Sequence, residues 1–331
     1  MLDSLRAALR DIPVAGRPPG MFRESGDCME GLRGVSVIMP AYRAGASLGA
    51  AVRSVLAQTY PHWELIVVAD DGADYRALLP EDPRLVLTRT AAKASGPSAA
   101  RNRGLDAARY PLVTFLDSDD VWYPDKLAVL APLAAAHGIA LGNTRFCEYP
   151  GRGYCANCWQ DPAEGRYGWR FFGEASESLW PVYRREVIAG TRFLESLRFA
   201  EDAVFALSVI AGDGGAYLYP RPLHEYRLRP GSLSRSEDTV RRADEAYAWI
   251  LSALRAGDRL AFPPGAAAEA IAVFERRQAL NRAFAASGMR FFQEFEVRER
   301  SRRFGMDGPR SGIARSGGPP RPVSRDATER T

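Results

Sequence analysis

Short apolar runs alternate with helical patterns between residues 35 and 117, and that alternation predicts an α/β fold built on a doubly wound sheet. The residues that punctuate the runs, Pro40, Asp71 and Asp117 to Asp120, fall at strand ends, where open sheets of this kind bind ligands. Beyond residue 237 the pattern is helical only, which predicts a C-terminal helical extension.

The elements follow in order. VSVIM (35–39) is a continuous apolar run suited to a strand buried on both faces. SLGAAVRSVLAQ (47–58) puts Leu48, Ala51, Val52, Val55 and Leu56 on one helical face. WELIVVAD (63–70), RLVLTRT (84–90) and PLVTFLD (111–117) supply further strands, with SAARNRGLDAARY (98–110) a helix between the last two. From 147 to 178 periodicity is lost and Gly and aromatic residues accumulate, as in a long loop that covers a site. A helix is expected from about Glu201 to Ile210, then a strand-like pair, AYLYP and LHEYRL, and helices near 237–255 and 266–303. The last carries apolar residues at Ile271, Phe274, Leu280, Phe284 and Phe291 amid charges, so it is expected to be amphipathic. The organisation read from these patterns is a leader (1–33), a catalytic body (34–236, with halves 34–142 and 143–236), a helical extension (237–304) and a disordered basic tail (305–331).

Composition narrows the function. A net charge of +4 is too small for a nucleic-acid binder, and no nucleic-acid partner is expected. Residues 298–331 hold nine Arg against four acids, so the body is near neutral and the tail basic. Of 44 basic residues only Lys93 and Lys126 are Lys. No apolar run reaches the roughly 18 residues of a membrane span and the N-terminus has no signal-peptide core, so a cytoplasmic location is expected. Cys28, Cys147, Cys155 and Cys158 are too few for a disulfide scaffold. The spacing from Cys147 to Cys158 offers three thiolates to zinc, but no second paired motif completes a site.

The most informative stretch is PLVTFLDSDDVWYPDK (111–126), a strand pattern that ends in Asp117, Asp119 and Asp120. Carboxylates crowded this closely repel one another unless a cation or strong donors neutralise them. A lone acidic string of this kind reads as a helix-capping loop. Here other pieces stand at matching intervals.

Residues 35 to 120 resemble the nucleotide-sugar-binding half of family 2 glycosyltransferases, an inverting group with the GT-A fold. The strings that carry the resemblance are VSVIMPAY, SVLAQTYPHWELIVVADDG, GPSAARNRGLDAA and FLDSDDVWYPDKL, and it resumes at RFAEDAVFAL and EYRLRPGSLSRS. The resemblance implies a mixed GT-A sheet and a set of roles. Pro40 and Ala41 would lie against the nucleotide base and Asp71 would accept from its imide, with Gly72 turning the backbone aside. The segment holding Arg101 and Arg103 would face the nucleotide, with a solvated helix face as the alternative. Arg103 is the contact carried forward. Asp119 would meet the ribose and, with Asp120 and the supporting Asp117, a divalent cation, Mg2+ or Mn2+, that steadies the departing diphosphate. Asp202 would be the catalytic base, although an acid in a first helical turn also has a structural reading. Arg229 stands where many relatives have His in a Y-R-x-H-x-x-S pattern. It can still meet a diphosphate but cannot ligate metal as imidazole does, and His224 is expected to be structural.

The activity so implied is transfer of one sugar from a nucleotide sugar, with a UDP-sugar the expected donor, to a hydroxyl of a glycan or lipid-linked acceptor in cell-surface polysaccharide synthesis. The Q-x-x-R-W string of processive synthases is missing, which favours single transfer. Two rivals remain: a nucleotidyltransferase, disfavoured by the loop PAYRAGAS with its single Arg43, and a non-catalytic binding module. A basic tail beside an amphipathic helix also implies peripheral contact with an anionic membrane surface, against the plainer reading of a solvated extension.

Overall fold

The apolar runs become the inner strands of one large sheet because each is buried on both faces. The computed structural model describes residues 33–151, 153–175, 180–229, 238–258 and 260–303; the leader to residue 32 and the tail from residue 304 lie outside them. Strand β1 (Val35–Ala41) pairs in parallel with β2 (Trp63–Ala69) on one side and β4 (Leu112–Phe115) on the other, and β3 (Leu85–Arg89) extends the sheet beyond β2. The chain thus runs outward from β1 through β2 to β3, then returns to β4 on the opposite side of β1. That reversal opens a crevice at the carboxyl ends of β1 and β4, where Pro40, Ala41 and Asp117 to Asp120 stand.

The rest of the sheet is mixed. Strand β5 is Val121–Trp122, β6 Ile139–Glu148, β7 Cys155–Asn157, β8 Gly165–Tyr167, β9 Val182–Arg184 and β10 Ala216–Leu228. The order is β3-β2-β1-β4-β9-β6-β10-β5, with β7 on β6 and β8 on β10. Strand β9 is antiparallel to both β4 and β6, and so joins the parallel half to the second half.

Side-chain alternation divides the core between two layers. Val35, Val37 and Met39 face α1 (Leu48–Leu56) and α3 (Lys126–His137), while Ile38 faces α2 (Pro97–Ala107). Gly104 of α2 sits so close to Ile38 that a Cβ there would come within 2.2 Å of it, so the glycine sets how tightly α2 lies on β1. The second layer continues through α6 (Glu201–Gly212), α7 (Thr239–Arg255) and α8 (Ala267–Ser287), because Phe205, Tyr247 and Phe274 belong to one buried cluster.

Several expectations are corrected. Residues 147–178 are not a bare loop: β7, β8 and the short helix α4 (Trp169–Gly173) are cut from them, and Trp159, Trp169 and Phe172 are core. Cys147 and Cys155 stand opposite each other in the β6–β7 ladder and form a disulfide, with Cys158 buried and outside it. Short helix α5 (Arg185–Ile188) follows β9. The strand-like pair at 216–228 is one strand, with register shifts around Pro222 where a proline cannot donate to the ladder. The helix expected over 266–303 breaks at Gly288, whose left-handed backbone (φ 67°) ends α8 before α9 (Phe292–Arg303) begins. Its apolar stripe is used internally, since Phe274 and Phe291 are buried and Phe284 lines a cavity.

Candidate active site

The turn after β4 aims its three carboxylates differently. Asp120 N–H donates to the Asp117 carbonyl at 3.1 Å, closing the turn. Asp120 is 2% exposed: Oδ1 accepts the backbone N–H of Arg227 at 2.8 Å, and Oδ2 lies 3.1 Å from Nε2 of His224, close enough to share one proton. Asp120 lines the cavity, but both of its oxygens are engaged with β10, so the carboxylate oxygens to spare are those of Asp117 and Asp119. His224 is buried on β10 with Asp120 as its partner. Burial, then the charges of Asp119 and Asp117, push the Asp120 carboxyl well above the usual carboxylate range. Burial, and the cation of Lys126, push His224 well below its ordinary value. Lys126 itself, buried against the Trp122 ring, is lowered by burial to about 7.

Asp119 and Asp117 are more open. Asp119 Oδ2 accepts from Arg229 at 2.6 Å and Asp117 Oδ1 from Arg101 at 2.8 Å, while the second oxygen of each has no hydrogen-bond partner among the described residues. Arg101 is the residue that joins the site together. Its Nη2 holds Asp117, its Nη1 donates to Glu201 at 2.8 Å, and its guanidinium lies over Trp180, 4.6 Å from the ring centroid. Burial would lower the Arg101 pKa, but Asp117, Glu201 and Asp202 outweigh it and hold it above its ordinary value. Arg103 does not share this position. Two residues apart on a helix is about 200° around the axis, so Arg103 points to solvent and does not line the cavity. Arg101 takes the place expected of it.

The base-binding end is also rearranged. Asp71 is not on the cavity wall: Oδ2 accepts from Arg43 N–H and Tyr75 O–H, both at 2.7 Å, and Oδ1 from Ala73 N–H at 3.0 Å. Burial works to raise its carboxyl, but these hydrogen bonds outweigh burial and lower it. It fixes the loop after β1. Its neighbour Asp70 lines the cavity instead, while accepting from Thr90 Oγ1 at 2.8 Å and from the Ser95 and Gly96 N–H groups at 2.9 and 2.8 Å. The two acids thus pin the loops on either side of Pro40 and Ala41, which do line the cavity.

Asp202 stands in the first turn of α6, where Oδ1 accepts the N–H of Ala203 at 2.8 Å. The helix is entered through Ala200, a non-glycine residue in the left-handed region (φ 60°). Arg43 (φ 50°) and Ala94 (φ 55°) share that strained conformation, and all three line the same cavity. Strain of this kind costs on the order of 1–3 kcal/mol per residue and persists where the surroundings enforce it.

The cavity has a volume of about 920 Å³, near the top of the range of roughly 300–1,000 Å³ for small-molecule sites. Pro40, Ala41, Asp117, Asp119, Asp202 and Arg229 all line it, so most residues expected at the site do converge. What sequence reasoning missed is the far wall, made by α7 and α8 through Arg242, Tyr247, Arg277 and Asn281. Among the described residues no three His, Cys, Asp or Glu side chains converge as a metal cage. The donor set of Asp117 and Asp119, each with an oxygen to spare, fits a hard cation that takes one or two carboxylates and completes its shell with phosphate and water.

Residues 36–165 match the model of glycosyl transferase family 2. The chain is 31% identical over 236 residues to the succinoglycan biosynthesis protein ExoO of Rhizobium meliloti (strain 1021), covering 64% of this chain and 67% of that one. It is 39% identical over 109 residues to the UDP-Glc:alpha-D-GlcNAc-diphosphoundecaprenol beta-1,3-glucosyltransferase WfgD of Escherichia coli, a stretch that covers 32% of this chain and 43% of WfgD. The structure of residues 1–349 of S. aureus TarS in complex with UDP-GlcNAc superposes with a TM-score of 0.57 at 21% identity, covering 80% of this chain and 78% of that one, which shows a shared GT-A fold.

Proposed function

Because the chain belongs to glycosyltransferase family 2, we propose that it moves one sugar from a nucleotide sugar to a hydroxyl of a glycan or glycolipid acceptor, with inversion, in the assembly of a cell-surface polysaccharide. A UDP-sugar is the donor we favour, since WfgD is named for UDP-Glc and TarS was solved with UDP-GlcNAc. The observation that carries this reading is Arg101, which ties the Asp117 end of the donor crevice to Glu201, next to the candidate base Asp202, inside one cavity.

The chemistry follows from the side chains. The acceptor oxygen attacks the anomeric carbon as the bond from that carbon to the diphosphate oxygen breaks, and the departing electron pair stays on the diphosphate. Asp202 takes the acceptor's proton, and Arg229 beside Asp119 offers paired donors to the leaving group. Arg101 holds Asp117 and Glu201 in place while its charge offsets theirs. A divalent cation, Mg2+ or Mn2+, would be held by Asp119 and Asp117 and would supply neutralisation of the diphosphate charge. Among the described residues no helix is long and apolar enough to cross a membrane. Thermal stabilisation by a panel of nucleotide sugars, with and without Mn2+, followed by assay of transfer, tests the reading. Stabilisation by none of them would sink it.

A further inference from the structure

Arg277 of α8 is 1% exposed, yet it lines the cavity and pairs with no described carboxylate. Its Nη2 donates to the Ala175 carbonyl, while Nε and Nη1 have no partner among the described residues. A buried guanidinium left in this condition costs several kcal/mol, and an apolar side chain of similar volume would be cheaper. Such a charge on a cavity wall is accounted for when the neutralising anion arrives with a ligand. Arg242 of α7 stands on the same wall, half-buried and without an ion pair to any described carboxylate. Asn281 Nδ2 donates to the Val240 carbonyl at 2.8 Å and holds α7 against α8, so the segments bearing the two arginines are fixed to each other. Both lie outside residues 36–165, the segment matched by the family model.

We propose that Arg277 and Arg242 form a second anion site that receives a phosphate or diphosphate group carried by the acceptor; calling its source the acceptor rests on the transferase reading above. Guanidinium groups meet phosphate oxygens with two parallel N–H donors, and a desolvated guanidinium does so without first shedding water. The site would select acceptors that bear such a group close to the sugar that is extended.

Two measurements test this. Inorganic pyrophosphate is titrated by calorimetry into the full chain saturated with UDP, comparing wild type, R277M and R242M. Pyrophosphate affinity is expected to fall at least tenfold in R277M and by a smaller factor in R242M, with UDP affinity unchanged within twofold. The melting temperature of R277M should hold or rise, because an uncompensated charge is removed. KM is then compared for a sugar linked to an alkyl diphosphate and for the neutral alkyl glycoside of the same sugar. A rise of tenfold or more for the first alone is the expected result. Equal losses on both acceptors, or a lower melting temperature in R277M, would make Arg277 a structural residue and overturn the proposal. Weakened UDP binding would assign it to the donor diphosphate instead. Pyrophosphate binding that depends on Arg277 without the split in KM would leave a site for free anions only and remove the acceptor from the claim. Should no nucleotide sugar be turned over at all, the transferase reading fails separately, and the pyrophosphate titration still decides whether the anion site exists.

Discussion

The cavity has two walls of different construction. The donor wall is made by strand ends and the turns that leave them, where the backbone register of β1 against β2 and β4 dictates where Pro40, Ala41 and Asp117 stand. The far wall is made by helices, whose side chains are set by packing at Tyr247 and Phe274. On the donor wall Asp70 and Asp120 have both oxygens engaged by neighbours while Asp117 and Asp119 each keep one oxygen to spare, and on the far wall it is a cation, Arg277, that keeps unsatisfied donors among the described residues. Spare carboxylate oxygens on one wall suit a cation, and spare guanidinium donors on the other suit an anion.

The sharpest way to break this contrast is at the junction of the walls. Asp202→Asn should lower kcat by roughly two to four orders of magnitude, the usual worth of a general base, with donor affinity nearly unchanged. Loss of donor binding in a direct titration would move Asp202 to the donor wall. Asp119→Asn should lower kcat/KM by about 10²- to 10³-fold, the scale for losing one charged contact to a leaving group, and should abolish Mn2+-dependent stabilisation by the nucleotide sugar. Normal stabilisation in that variant would return the metal to another residue.

Arg101→Met removes the cation between Asp117 and Glu201, leaving both carboxylates in poorly hydrated positions, and should destabilise the fold by about 3–5 kcal/mol. Arg103→Met, on the exposed face of the same helix, should change stability by less than about 0.5 kcal/mol. Urea unfolding of the two variants decides between them, and equal effects would reverse the assignment of faces.

Lys126 gives a pH slope in place of a single value. Its pKa of about 7 in the folded chain lies below its ordinary 10.5, so between those values the unfolded chain binds more protons and folding stability rises with pH. The rise is on the order of 1 kcal/mol per pH unit within that window, and it should vanish in Lys126→Met. A pH profile of unfolding that is the same in both proteins would show that Lys126 stays protonated.

Much of the donor wall was legible because parallel strands advertise themselves as apolar runs and their ends as polar breaks. Helix phase was harder. PSAARNRGLDA carries too few apolar residues to show which face is inward, so Arg101 and Arg103 could not be told apart by pattern. Gly104 was the available signal: a glycine within a helix marks a close approach, and Arg101, three residues before it, shares its face. Asp70 and Asp71 stand together at a strand end, but which acid turns inward depends on loops 28 and 25 residues distant in sequence. Lys126 had a compositional trace, as one of two lysines in a chain that otherwise uses arginine. The far wall left no trace, because Arg242 and Arg277 look like any surface arginine until α7 and α8 dock.

Docking order has a consequence for synthesis. Residues up to about 229 hold the donor carboxylates, whereas the segments from Thr239 to Gln293 that close the cavity leave the ribosome last of the elements described. At about 5–20 residues per second, about 3–13 seconds separate synthesis of residue 229 from that of Gln293. During that interval a sugar held at the carboxylates would meet water on its exposed side, so it is prompt docking of α7 and α8 that limits wasteful hydrolysis.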